Sequence, residues 1–505
     1  MLKSPVSPSA HRRKPFPEPS KFWHQPTSLL LIVLLALTAP LIPTPFHDTQ
    51  WHGLQTLIVE VGTVLLLAGV VCRPWSATAL RDWLDWARHP PQIFLGLFLV
   101  WEIISAWRGP DWRFAVQGFL PMAGGVLVAW VVAAQARALP QLLALLDGLI
   151  GAALLVPLAG FALYGSTSAT GFVGTFNDHQ LLGAFLLPFI PLSLAMYLAQ
   201  KSTTRKMFAQ AAFIMCLIAL LVAQTRSSWI GAVIALPIFA LLTIYAGIPL
   251  HIKAGIVSHR GLRQTGFTLL LVMIATALVL WSLPNRDRIS SRLQTVTNIA
   301  QGKDSSTDWR LSVWKGAAMM IEQKPILGWG LGAFALRHQP YTQTGHPTAV
   351  VLWDGPSLED EAHNSYLQIW LESGLPGLLL WIGLLISAFV AGVRALRRFP
   401  LKSLEQYVLI GSLAAVVGQS VDALANPAWQ FGDVAFYFWI ILGVILALAT
   451  PKSHSLPTPS PSPGIENRFW TKLGMVLRVC VSLALSALLL RVIALSAFAL
   501  PAPHL

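Results

Sequence analysis

The sequence predicts an all-α fold: a polytopic transmembrane helical bundle of about 12 spans with one large outward-facing loop that holds short helices. Three observations carry this. The chain has 505 residues, of which 55% are hydrophobic and only 11% charged, where soluble domains carry about a quarter charged residues. Apolar runs of roughly 18 residues or more recur along it, each long enough to cross a hydrocarbon core of about 30 Å as a helix. Lysine and arginine are dense in alternate loops and sparse in the others, the pattern of a chain with fixed sidedness.

Taken in order, residues 1–27 include "MLKSPVSPSAHRRKPFPEPSK", too polar and proline-rich for a signal peptide; a disordered cytoplasmic tail is expected. Apolar spans follow near 28–46, 54–72, 92–107, 115–136, 142–164, 180–200, 208–225, 228–248, 265–283, 375–393, 404–424 and 432–450, making 28–450 one membrane-embedded domain. Residues 451–469 carry "PKSHSLPTPSPSPG", a Pro/Ser-rich linker. Residues 470–505 form an additional C-terminal segment whose apolar part, 473–498, contains Arg478 and Arg491. It either crosses as a thirteenth span with both arginines snorkelling or lies in the interface.

With the N-terminus in the cytoplasm, 23 of the 35 lysines and arginines fall inside and 12 outside, and eight of those 12 lie in the long loop 284–374. Long loops count little toward orientation, so the map is strongly positive-inside and the long loop faces outward. The net charge of +13 therefore reads as topology, and nucleic acid is not an expected partner. Cys72, Cys216 and Cys480 all sit in apolar segments, with no disulfide framework or zinc spacing.

Within the long loop, "TDWRLSVWKGAAMMIEQKP" predicts a helix capped by Thr307 or Asp308, with Trp314, Ala317, Ala318 and Ile321 on one apolar face and Pro325 closing it. "ILGWGLGAFAL" supplies Gly328, Gly330 and Gly332 for tight turns. A phosphate loop is the weaker reading of these glycines, because no Gly-Lys-Ser/Thr follows; a turn packing an interfacial helix onto the bundle is the stronger.

The loop ends in "EDEAHNSYLQIWLESGLPG". Ser365 and Gln368 have capping-box spacing, so a short helix is expected to start at Ser365. Gly374 suits a left-handed helix end and Pro376 the first turn of the next span. His363 and Asn364 then stand just before a helix at the outer membrane surface. Imidazole accepts a proton near neutral pH, as a general base must, although a lone interfacial histidine is more often a plain surface residue. Glu359, Asp360 and Glu361 could offer oxygen ligands to Mg²⁺ or Ca²⁺. Three consecutive acids do not converge on one ion in regular structure, so a solvated acidic face is expected and no metal.

Other polar residues fall on the same side. Arg226, in "AQTRSSWIGAVIAL", lies at a short outer turn, where a guanidinium either snorkels to headgroups or binds an anion. Asn177, Asp178 and His179 stand where a span re-enters from outside, Asp422 and Asn426 where another leaves, and Arg310 lies in the loop helix. The intramembrane acids Glu60, Glu102 and Asp147 have no partner that the sequence names.

"AHNSYLQIWLESGLPGLLL" reads His363-Asn364, nine residues, then Gly374-x-x-Gly377. With "TRSSWIGAVIAL", "RLSVWKGAAMMIEQKPILGWGLGAF" and "TFNDHQLLGAFLLP", it resembles the O-antigen ligase and polymerase superfamily over roughly 90–450. The last of these departs from the family's usual Asn-Pro-Asn in carrying Asn177-Asp178-His179. The resemblance implies an enzyme that moves a glycan from an undecaprenyl diphosphate carrier to an acceptor hydroxyl on the periplasmic side of the bacterial inner membrane. An O-antigen ligase acting on lipid A–core is the leading expectation; a lipid-linked glycan polymerase and a protein O-oligosaccharyltransferase share the chemistry. It implies His363 as catalytic base and Arg226 and Arg310 as diphosphate ligands, with Asn364, Asn177, His179 and Glu361 as supporting groups and no cofactor. A small-anion transporter is the alternative of another class, supported by Glu60, Glu102 and Asp147 alone.

Overall fold

Apolar segments in a bilayer must satisfy their backbone internally, and helices do so within one segment. The computed structural model describes residues 27–41, 54–71, 87–163, 172–176, 178–248, 305–338 and 361–450, and its regular elements are all helices. They are α1 (Thr27–Thr38, followed by a 3₁₀ turn to Leu41), α2 (Leu54–Val71), α3 (Pro90–Trp107), α4 (Trp112–Gln135), α5 (Leu139–Leu163), α6 (His179–Ala199), α7 (Thr203–Ala223), α8 (Arg226–Tyr245), α9 (Ser305–Gln323), α10 (Ala333–Arg337), α11 (Ser365–Leu396), α12 (Leu404–Asp422) and α13 (Gly432–Ala449).

Among the described residues nine helices are long and apolar enough to span a membrane, and α1 and α2 are shorter apolar helices. The chain is an integral membrane protein. The expected spans at 265–283 and 473–498, the N-terminal tail and the linker lie outside the described residues.

Helix α13 is buried along its whole length, as suits a helix apolar on every side. It packs against α2, α4, α11 and α12, while α12 packs in turn against α6 and α8. Glycines set the closest approaches. A Cβ on Gly231 of α8 would lie 2.6 Å from the Gly418 carbonyl of α12, so these two backbones touch directly. One turn toward the same end of the bundle, that contact brings Ser228 beside Asp422.

Of three local expectations, two are corrected. Helix α9 starts at Ser305, ahead of Thr307 and Asp308, and its buried face is Val313, Ala317, Met320 and Ile321, while Ala318 is exposed. The N-cap of α11 is Asn364, whose Oδ1 accepts from the N–H groups of Tyr366 and Leu367 at 3.0 and 3.1 Å. Gln368 therefore has no capping-box role and bonds elsewhere. The third is met: Gly374, with φ 71° and ψ −175°, divides α11 into the two helical segments expected at 365–373 and 375–393.

Candidate active site

The site lies where the N-terminal ends of α6, α8 and α11 meet the C-terminal end of α12. The Thr225 hydroxyl donates to the His179 carbonyl at 2.7 Å, joining α8 to α6. Asn426 Nδ2 donates to the Gln180 carbonyl at 3.1 Å. The Ser365 N–H donates to the carbonyl of Ala423 at 2.9 Å, and the Ser365 hydroxyl donates to Gln430 Oε1 at 2.8 Å. Four elements separated in sequence are thus tied at one end of the bundle.

Asp422 is the centre of this arrangement. It is fully buried and accepts from the Ser228 hydroxyl at 2.8 Å, with Ser227 and Asn426 alongside and the Arg310 guanidinium within electrostatic reach. Ser227 and Ser228 belong to the first turn of α8, whose positive dipole end favours a carboxylate. Arg226 is the first residue of that helix and half-buried.

Above it stands the segment that carries His363. His363 has φ 47°, a left-handed backbone that a non-glycine residue rarely adopts. Strain of this kind persists only where the surroundings over-determine it, and such residues cluster at functional sites. Both neighbours are fixed. Ala362 is fully buried, its N–H donating to Gln368 Oε1 at 2.7 Å and its carbonyl accepting from Trp314 Nε1 at 3.0 Å; Asn364 is held by its cap. The imidazole meets the Trp309 ring edge-on, 4.7 Å between centroids. Helix α9 thus sets Trp309 against His363 and the next residue, Arg310, toward Asp422.

A second apolar cluster fixes α9 there: Val313, Ala317, Met320, Ile321, Phe334, Ala362 and Leu371, flanked by Trp309, Trp314, Trp329 and Trp370. The glycine-rich turn belongs to it. Trp329 and Gly330 donate backbone N–H groups to the carbonyls of Leu371 and Glu372, both at 2.9 Å. Gly328, with φ 71°, leaves no room for a Cβ against Glu372 O and the Gly374 nitrogen. Arg108 Nη1 and Nη2 donate to the carbonyls of Leu327 and Gly328 at 2.6 and 3.1 Å. The turn therefore clamps the α11 kink to the end of α3. His338 at the close of α10 is buried, stacks on Phe334 at 4.0 Å and has Nε2 3.3 Å from the Val313 carbonyl. Burial pushes its pKa down from 6.5 to about 4.

Of the residues singled out in the sequence, Arg226, Arg310, His179, His363 and Asn364 fall in this one region. Glu361 is half-buried beside Ala362, and Asn177 lies outside the described residues. Asp178 caps α6 by accepting from the Gln180 N–H, with its Oδ1 3.7 Å from His179 Nδ1. The intramembrane acids are dispersed. Asp147 pairs with Arg205 at 2.9 Å, and Glu102 accepts from the Ser373 hydroxyl at 2.7 Å. Glu60 shares the α2–α13 contact with Asp433. At the opposite end of the bundle His89 lies near Arg137 and Arg398, and burial followed by those two cations lowers its pKa. No group of three or more potential metal ligands occurs among the described residues.

The roles of Ser228, Trp309 and Gln368 were not visible in the sequence. The hydroxyls adjoining Arg226 were the available signal for Ser228, and Gln368 was misread as a cap partner.

Residues 211–382 match the family model described as O-antigen ligase, a range that encloses Arg226, Arg310 and His363. A curated protein named O-antigen ligase, from Pseudomonas aeruginosa, is 29% identical over 140 residues, which cover 28% of this chain and 30% of that protein. The match therefore spans less than a third of the relative's length. Both findings support the O-antigen ligase and polymerase superfamily that the motifs resemble.

Proposed function

We propose that this member of the O-antigen ligase and polymerase superfamily is an inverting glycosyltransferase. It takes a glycan from undecaprenyl diphosphate and places it on a hydroxyl of lipid A–core at the periplasmic face of the inner membrane. The observation that carries this reading is the convergence of His363, Arg310 and Arg226 on one end of a membrane bundle, within the stretch that matches the ligase family.

The chemistry needs little more. The diphosphate already activates the anomeric carbon. His363 removes the acceptor hydroxyl proton, the acceptor oxygen forms its bond to the anomeric carbon from the back side, and the bond to the diphosphate oxygen breaks. The electron pair leaves with undecaprenyl diphosphate, whose growing charge Arg226 and Arg310 receive. Guanidinium forks match phosphate oxygens in pairs. Asp422 and the first turn of α8 hold this region in shape, and the edge of the Trp309 ring limits rotation of the imidazole. A donor whose lipid stays in the bilayer requires a site at the bilayer's edge, which is where the helix ends bring these residues.

The test is the surface lipopolysaccharide of a strain deleted for this chain, complemented with wild type or His363→Ala. Bare lipid A–core with long glycan accumulating on undecaprenyl diphosphate is expected for the deletion and for His363→Ala at normal protein level. Core carrying a single repeat instead means a polymerase, and an unchanged pattern contradicts both.

A further inference from the structure

The His363 backbone is held by a buried bridge that no step of the reaction touches. Gln368, one turn into α11, accepts from the Ala362 N–H at 2.7 Å and donates through Nε2 to Glu372 Oε1 at 3.0 Å. Glu372 Oε1 also accepts from the Phe334 N–H at 3.2 Å, with the Gly332 backbone as a further donor. Both side chains are almost wholly enclosed, Gln368 4% and Glu372 6% exposed. The bridge therefore runs from the residue before His363, through Gln368 and Glu372, to the turn at the start of α10.

Left-handed backbone at a histidine does not hold itself. Asn364 fixes the following residue through its cap, and Trp314 and Gln368 fix the preceding one. We infer that Gln368 is a positioning residue for His363, and that Glu372 sets the Gln368 amide by accepting its N–H. The inference rests on His363 being the base of the proposed reaction. An amide is suited to this place because it accepts on one side and donates on the other. The carboxylate is suited to its own because it accepts from several donors at once. Glu372 also couples the bridge to the glycine turn, so a disturbance at Gly332 reaches His363 through it.

The test uses the purified full chain in nanodiscs, an undecaprenyl-diphosphate-linked oligosaccharide as donor and lipid A–core as acceptor. Gln368→Met keeps length and burial but removes both hydrogen bonds. Misplacing a catalytic group by about 1 Å can cost on the order of 100-fold, so kcat is expected to fall roughly 10- to 100-fold. Donor KM stays within about twofold, because the bridge makes no contact that binding would use. The double exchange Gln368→Glu with Glu372→Gln keeps the bond from the Ala362 N–H, a 368–372 hydrogen bond and the net charge, gives up only the bond from the Phe334 N–H, and restores most of kcat.

Unchanged kcat in Gln368→Met overturns the inference. So does a loss in which KM rises with falling kcat, or thermal stability drops, and the exchange restores neither; that is general damage to the fold. His363→Ala run alongside separates the two readings. If it keeps wild-type activity, the base assignment fails and the bridge with it. If it is inactive while Gln368→Met is normal, only the bridge fails.

Discussion

At the scale of single residues, the polar groups of the proposed site are of two kinds, those that would meet the donor and those that hold them. Under the proposed reaction Arg310 is of the first kind, where a planar fork matters as much as charge. Arg310→Ala is expected to lower kcat about 10²–10³-fold, and Arg310→Lys to recover only part of that. Steady-state transfer rates would show it, and full recovery by lysine would contradict bidentate phosphate binding. His338 belongs to the second kind. Its folded pKa of about 4 lies below its ordinary 6.5, so between those values the unfolded segment binds the extra proton. Its contribution is complete above about pH 6.5 and is lost as pH falls toward 4. Protection of the α9 and α10 amides, taken relative to intrinsic exchange at each pH, should therefore fall on going from pH 7 to pH 5, and His338→Gln should flatten that dependence.

At the scale of elements, two glycine contacts set the geometry. Gly374 has φ 71° and ψ −175°, and a Cβ there would strike the Ile326 carbonyl oxygen. Gly374→Ala is expected to cost about 1–3 kcal/mol and to release the clamp between the glycine turn and α11, read as a lower thermal midpoint together with lost activity. Gly231 against Gly418 is the second contact. Gly231→Val forces α8 from α12 and separates Ser228 from Asp422, leaving a buried carboxylate short of a donor at a cost of about 1–3 kcal/mol. Val233→Leu, on the exposed face of the same helix, serves as the neutral control for both activity and midpoint.

At the scale of the molecule, what the sequence disclosed and what it hid follow from the range of the forces involved. Helices α3 to α8 lie within a few residues of their expected spans because apolar length is a property of a contiguous run. The candidate site residues were legible for a similar reason: His363 and Arg226 stand out by residue type at the ends of apolar spans, and Arg310 by its place in the loop helix. Their arrangement was not legible. Asp422 takes its place from the Gly231–Gly418 approach, which joins positions nearly 200 residues apart. Gln368 reads as a cap in one dimension and turns out to face Ala362 once Asn364 takes the cap. The kink at Gly374 was foreseen from the residue, whereas its partner turn at Gly328 depends on tertiary packing.

In the proposed reaction His363 deprotonates the acceptor in transfer from a polyprenyl diphosphate donor. The most direct measurement is transfer by the purified chain in nanodiscs, from undecaprenyl-diphosphate-linked oligosaccharide to lipid A–core, comparing wild type with His363→Ala. Transfer by wild type with inversion at the anomeric carbon is expected, and a loss of about 10²–10⁴-fold in His363→Ala with donor binding retained. Equal rates for the two proteins, or no transfer by a folded wild type, would contradict it.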